Sequence, residues 1–174
     1  IEAERALSAR LRAGEDALIA QCERLGIAWT ILRPTMIYGA GLDRNLTPVA
    51  RMARRTRVLP MPQASGLRQP VHAEDVALAA IAAVRDGGAA GRIVEIGGGE
   101  RLSYLAMFQR LRESLGCRVV PVPVPGVALR SAAALLSPMR GPLGRLEMDL
   151  VADNSALNSL LCVDPRPFRP DADT

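Results

Sequence analysis

The sequence predicts an α/β fold, a parallel sheet with helices packed against it. Three observations carry this. The run Trp29-Thr30-Ile31-Leu32 is short, apolar and β-branched, which suits a strand buried on both faces of a parallel sheet. A second run, Arg92 to Ile96, also reads as a strand. Helical patterns precede the first run and separate it from the second, the alternation expected of such a sheet.

Taken in order, residues 3–25 read as one helix. Leu7, Leu11, Leu18, Cys22 and Leu25 share a face at 100° per residue, and Gly26 suits the position just past its end. No initiator methionine is present and the helical pattern is already running at the first residue, so the reading is that the chain starts earlier. Arg33-Pro34 ends the first strand, because proline cannot donate to a ladder. Met36-Ile37-Tyr38 is a second short apolar run, closed by Gly39 and Gly41. Ligands of open α/β sheets bind beyond the carboxyl ends of the strands, which makes Arg33-Pro34-Thr35 a candidate floor.

A helix is expected over 45–57. There Arg51, Arg54 and Arg55 share one face, where they form either a phosphate-binding ridge or a solvated basic surface. Residues 58–62 read as a short extended piece and 63–66 as a polar loop. Glu74 and Asp75 open a helix over 76–85, where acidic residues complement the helix dipole without any catalytic role. Ser103 is the expected N-cap of a helix over 104–115, with Gly116 ending it. Residues 117–124 are extended, and Pro121, Pro123 and Pro125 confine them to an edge or a linker. An apolar helix follows over 127–136, a Pro/Gly break over 137–144 and a less regular helical region over 146–161. Residues 1–164 thus read as a single α/β domain, and 165–174 as a loose proline-rich tail.

Composition narrows the function. At 174 residues the chain can bury one sizeable core. All 22 basic residues are arginine, so this chain alone cannot run a lysine-dependent mechanism. The net charge of +4 alone would suggest a basic nucleic-acid binder. Nucleic acid is disfavoured, because two phenylalanines, two tyrosines and one tryptophan offer little stacking surface. No apolar run reaches the length of a membrane span. Cys22, Cys117 and Cys162 lie far apart without metal-ligand spacing. They read as reduced thiols of a cytoplasmic protein. His72 is the only histidine, and it reads as a structural hydrogen-bonding residue.

Three stretches, in order, resemble one family. Leu32-Arg33-Pro34-Thr35-Met36-Ile37-Tyr38-Gly39 looks like the strand after the catalytic helix in extended or atypical short-chain dehydrogenases/reductases, the NAD-dependent epimerase/dehydratase group. Asn45-Leu46-Thr47-Pro48 resembles that group's Asn-Leu-x-Pro. Arg68-Gln69-Pro70-Val71-His72-Ala73-Glu74-Asp75-Val76 resembles its Arg-Asp-x-x-His-x-x-Asp-hydrophobic motif.

The resemblance implies the C-terminal, substrate-side half of an extended domain of this kind, with a partial Rossmann-like parallel sheet. It implies NAD or NADP as cofactor, with Pro34, Thr35, Met36 and Ile37 bordering the nicotinamide end. It implies a nucleotide-sugar-like substrate, with Asn45, Arg51 and Arg68 facing the diphosphate, and it leaves a homodimer open. Read from the residues alone, Arg68 has a second candidate role, an ion pair with Glu74 or Asp75.

Two features depart from the family. Its Tyr-x-x-x-Lys pair falls on Ser8 and Arg12, so no catalytic residue is assigned. Its phosphate-binding glycine turn is absent: Gly97-Gly98-Gly99 follows a strand but lacks the spacing, and reads as a loop. The expected protein is therefore part of an NAD(P)-dependent nucleotide-sugar epimerase or dehydratase, inactive as this isolated chain. The alternative is a degenerate, non-catalytic relative that binds a nucleotide or a partner.

Overall fold

The computed structural model describes residues 2–41, 43–128 and 146–171. Its elements run α1 (Glu2–Leu25), β1 (Thr30–Pro34), β2 (Ile37–Tyr38), α2 (Leu46–Thr56), β3 (Val58–Gln63), β4 (Leu67–Arg68) and β5 (Val71–His72). Then come α3 (Ala73–Asp86), β6 (Arg92–Ile96), β7 (Leu102–Ser103), α4 (Tyr104–Ser114), β8 (Val120–Pro125) and α5 (Ser155–Leu161).

The expected α/β class holds, and parallel pairing dominates. β1 pairs with β6, β2 with β5 and β3 with β8, all parallel, while β4 and β7 are antiparallel. The Thr35 N–H donates to the Ile96 carbonyl at 2.8 Å and the Val71 N–H to the Met36 carbonyl at 3.0 Å. These bonds carry the chain from the first pair to the second. β1 is longer than the run 29–32 suggests, because it includes Pro34. Odd-numbered residues of β1 bond toward β6, so the donor that Pro34 lacks would have faced away from the ladder.

The same alternation explains β8. The Val120 N–H donates to the Arg57 carbonyl at 2.9 Å, which turns the valines of Val-Pro-Val-Pro-Val-Pro toward β3 and the prolines outward. In β3, Pro60 and Pro62 fall on the outward side by the same rule. Proline therefore stops this pair from growing at either edge.

Two hydrophobic clusters form the interior. One joins α2, α4 and β3 around Tyr38, Leu46, Leu59, Leu111 and Phe168. The other joins α3, α5 and β6 around Val71, Ala79, Val94, Ile96 and Leu157.

Side chains alternate across β1, so its two faces carry different helices. Thr30 and Leu32 lie beside Ala80, Ala83 and Val84 of α3. Arg33, on the opposite face, pairs with Glu15 of α1. α1 ends as its sequence predicts: the Gly26 N–H donates to the Glu23 carbonyl and the Ile27 N–H to the Cys22 carbonyl, with Gly26 at φ 64°. Its leucine face is not buried, however. Leu7, Leu11, Leu18 and Leu25 are 45–62% exposed, and among the described residues of α1 only Glu15, Ile19 and Cys22 are half-covered.

Three expectations change. The helix expected over 146–161 begins only at Ser155. Upstream, the Leu150 N–H donates to the Leu67 carbonyl at 2.9 Å, and Asp153 accepts from the Ser155 N–H. Local pairing and a carboxylate turn replace the early helical turns. The apolar helix over 127–136 and the break over 137–144 lie almost wholly outside the described residues. The proline-rich tail is not loose over 165–171. Phe168 is fully buried against Tyr38, with ring centroids 4.8 Å apart, and Arg166 pairs with Asp75. An aromatic anchor and an ion pair outweigh the proline content.

Phe168→Ala should therefore cost about 3–5 kcal/mol of stability. Chemical denaturation would measure it. A loss below about 1 kcal/mol, the level of surface substitutions, would mean that the segment is not anchored.

Candidate functional site

The floor is built where β1 and β6 end. Pro34 stands opposite Ile96. Thr35 is fixed twice: its N–H on the Ile96 carbonyl, and its hydroxyl donating to the Gln69 carbonyl. Met36 accepts from Val71, and Ile37 stands opposite Val71. All four residues 34–37 are partly buried.

Gln69 ties this floor to β6. Its side-chain amide donates to the Gly98 carbonyl at 2.8 Å and accepts from the Ala152 N–H at 2.9 Å. Gly97, Gly98 and Gly99 exist for this crossing. A methyl group on Gly97 would meet the Gln69 side chain, one on Gly98 the Pro70 carbonyl, and one on Gly99 the Pro165 carbonyl. Their three N–H groups are spent internally, on the Asn154 side chain, the Gln69 carbonyl and the Arg166 carbonyl. The turn is a packing crossing and has no donors left to cradle a phosphate.

Arg68 is 2% exposed. Its Nε donates to the Tyr104 hydroxyl at 2.8 Å, one terminal nitrogen donates to the Leu67 and Met148 carbonyls, both at 2.6 Å, and the guanidinium lies 4.4 Å from the Tyr104 ring centre. The ion-pair alternative is not what forms: Glu74 and Asp75 are taken by Arg166.

Asn45 and Arg51 stand at α2. Both are exposed, and Arg51 donates to the Gly41 carbonyl at 3.1 Å. Asn45 occupies the N-cap position but makes no side-chain cap bond. Asp43 caps the helix instead, accepting from the N–H groups of Asn45, Leu46 and Thr47 and from the Thr47 hydroxyl. An Asp four residues before Thr at a helix start was the readable signal for it. Gln69 and Asn154 had no such signal, because their partners are distant in sequence. Arg51, Arg54 and Arg55 sit in a segment, residues 44–73, that contains six arginines and no acidic residue.

His72 caps α3, its Nδ1 accepting from the Glu74 N–H at 3.2 Å, and its ring meets Tyr38 edge-on. Burial raises the Tyr38 phenol above its ordinary value, and its oxygen accepts from the Arg169 N–H. Ser8 and Arg12, on the expected catalytic positions of α1, are both exposed.

Glu100 holds the 165–171 segment from the α4 side. It accepts from both terminal nitrogens of Arg110 and from the Phe168 N–H. The Arg110 hydrogen bond holds its carboxyl below the usual carboxylate range, with the Phe168 N–H adding to it and partial burial opposing both. A carboxylate depressed in the folded state adds stability above its unfolded value and loses it as the pH falls through the folded one. Wild-type protein should therefore exceed Glu100→Gln in thermal midpoint at neutral pH, and the gap should close on acidification. Melting curves across the acid range would show this; a constant gap would contradict it.

One cavity among the described residues is lined by none of the candidate residues. That space, about 380 Å³, lies at the amino end of β1, between Trp29, Thr30 and Leu32 and the Ala80–Val84 side of α3. Among the described residues no helix is long and apolar enough to cross a membrane.

The parallel pairs define an α/β fold class, and comparison narrows it. The NAD-dependent epimerase/dehydratase family model matches residues 8–97, and the chain belongs to that family. No curated protein matches it. Among solved structures it is similar to UDP-glucuronic acid 4-epimerase from Bacillus cereus in complex with UDP-glucuronic acid and NAD, at 19% identity and TM-score 0.66. That match covers 89% of this chain and 46% of the other. UDP-glucose 4-epimerase from Thermotoga maritima with UDP-glucose gives 19% identity and TM-score 0.67, over 90% and 47%. RMD from Pseudomonas aeruginosa complexed with NADPH gives 15% and 0.66, over 90% and 49%. The chain thus spans about half the length of the structures it matches.

Proposed function

We propose that this chain supplies the substrate-side half of an NAD(P)-dependent nucleotide-sugar epimerase or dehydratase of the cytoplasm. The observation that carries the reading is the floor itself, residues 34–37 pinned to Ile96, Gln69 and Val71 at the carboxyl ends of parallel strands, in a chain of this family. The bound UDP-sugars, NAD and NADPH of the similar structures support it.

The cofactor fits this chain only in part. Residues 34–37 would border its nicotinamide end. Among the described residues nothing offers a pyrophosphate cradle, since the glycine turn is fully engaged. When bound, the cofactor would take up and return a hydride. This chain's own contribution is to orient the reacting end and to hold the substrate diphosphate. Asn45 and Arg51 are the exposed groups for that task, and Arg51 brings the planar donor fork that suits phosphate. Arg68 would reach a diphosphate only by giving up part of its present bonding. The isolated chain has no tyrosine and lysine on its Ser8 and Arg12 positions, so it binds without turnover. This substitution also favours the second reading, a non-catalytic relative that retains the nucleotide site.

Calorimetry with UDP-glucose tests the site. Arg51→Ala should weaken binding about ten- to a hundredfold, the loss of one charge-assisted contact of roughly 1.5–3 kcal/mol, with little change in thermal midpoint. Arg68→Ala should lower the midpoint, because it removes the hydrogen bonds of a buried guanidinium to the Tyr104 hydroxyl and to the Leu67 and Met148 carbonyls. Unchanged affinity in both variants would remove the diphosphate assignment.

A further inference from the structure

The parallel pair β3–β8 has two faces with different surroundings. Side chains alternate along each strand, and residues in register across the pair share a face. Leu59 and Met61 are buried in the cluster that β3 shares with α2 and α4. Their neighbours in sequence take the other face. It carries Val58, Pro60 and Pro62 of β3 beside Val120, Val122 and Val124 of β8. Val58 is 40%, Val120 58% and Val122 42% exposed, and Pro60, Pro62 and Val124 are only partly covered. The result is an apolar face two strands wide with no polar side chain on it.

The charges beside this face have one sign. Residues 57–63 and 117–128 contain two charged side chains, Arg57 and Arg118, and no acidic one. Both arginines are exposed. Arg57 immediately precedes β3 and Arg118 stands two residues before β8. The Arg57 carbonyl accepts from the Val120 N–H at 2.9 Å, which keeps these strand ends together. The face is therefore apolar along its length and basic at one end.

Its construction selects among occupants. Proline fills every outward position of the pair, so neither edge can take up a peptide strand. Six side chains on two short strands fall well short of the ~800 Å² per partner that a stable protein interface buries. A lipid surface needs neither an edge nor that area. It offers an apolar boundary to the valines and prolines and anionic headgroups to the arginines, and it requires no hydrogen-bonding match. Valine and proline are also stiff, so they lose little rotamer freedom on insertion.

We infer that this face of β3–β8 is a docking surface for an anionic lipid bilayer, with Arg57 and Arg118 against the headgroups and the valines and prolines at the acyl boundary. Such a contact lies on the membrane and needs no spanning helix. It goes beyond the nucleotide-sugar reading, and its test uses no nucleotide.

The 174-residue chain is sedimented with vesicles of phosphatidylcholine containing about one-third phosphatidylglycerol, and with phosphatidylcholine alone. It should bind the anionic vesicles, and binding should fall steeply as salt is raised. Arg118→Glu should weaken it on the order of tenfold, since one basic side chain near such a surface contributes roughly fivefold and the reversal adds repulsion. Val120→Glu should bring it to background. Both positions are exposed, so both variants should keep the thermal midpoint of the unaltered chain. Leu105→Glu, at a comparably exposed position on α4, should leave binding unchanged. Brominated lipid should quench the fluorescence added by Val120→Trp and spare that added by Leu105→Trp. The inference is overturned if the chain ignores anionic vesicles, which leaves the face to a protein. It is overturned if Val120→Glu binds them as well as the unaltered chain, or if the two added tryptophans are quenched alike. It is equally overturned if light scattering shows a dimer that Val120→Glu dissolves, since a second copy is then the occupant.

Discussion

The structure hangs on one crossing. At Gly97–Gly99 the end of β6 passes so close to the Gln69 side chain, the Pro70 carbonyl and the Pro165 carbonyl that no side chain fits between them. Every N–H of the turn is consumed there, and Asn154 closes the far side by donating to the Gly97 and Gly98 carbonyls. The crossing sets the height of the floor, because Thr35 hangs from the Gln69 carbonyl on one side and from Ile96 on the other. A buried amide with both its donor and its acceptor engaged fixes position better than apolar contact does, since any slip leaves polar groups unpaired.

The segment 165–171 extends that crossing to both hydrophobic clusters. Arg166 fastens it to Glu74 and Asp75 at the start of α3, and its carbonyl accepts from Gly99. Two residues on, Phe168 enters the other cluster, while Glu100 and Arg110 hold its backbone. The acidic pair at the start of α3 thus serves a tertiary clasp as well as the helix dipole. Asp75, almost fully buried, depends on its arginine, because a lone buried carboxylate would cost several kcal/mol.

What could be read from the sequence was local. The α1 ending at Gly26, the Ser103 cap, which accepts from the Ala106 N–H, and the strand ending at Pro34 all follow from residues a few positions apart. The floor at 34–37 was legible because strand, proline and second apolar run are contiguous. Gln69, Asn154 and Phe168 were not legible, since their roles depend on partners tens of residues away. The leucine face of α1 was misleading in a specific way. Its periodicity correctly gives a helix with an apolar side, but periodicity cannot say which polypeptide covers that side. The tail misled through composition: its prolines suggested looseness, while one phenylalanine and one arginine decided otherwise.

The treatment of sheet edges draws these strands of reasoning together. In β3 and β8 five prolines occupy outward positions and none occupies an inward one, so the ladder is complete and growth is blocked. A chain that defends one parallel pair this thoroughly leaves β1 undefended beside an apolar groove and a helix with exposed leucines. Exposed singly, each of these features is ordinary on a protein surface. Together they lie on the two faces and the edge of one strand.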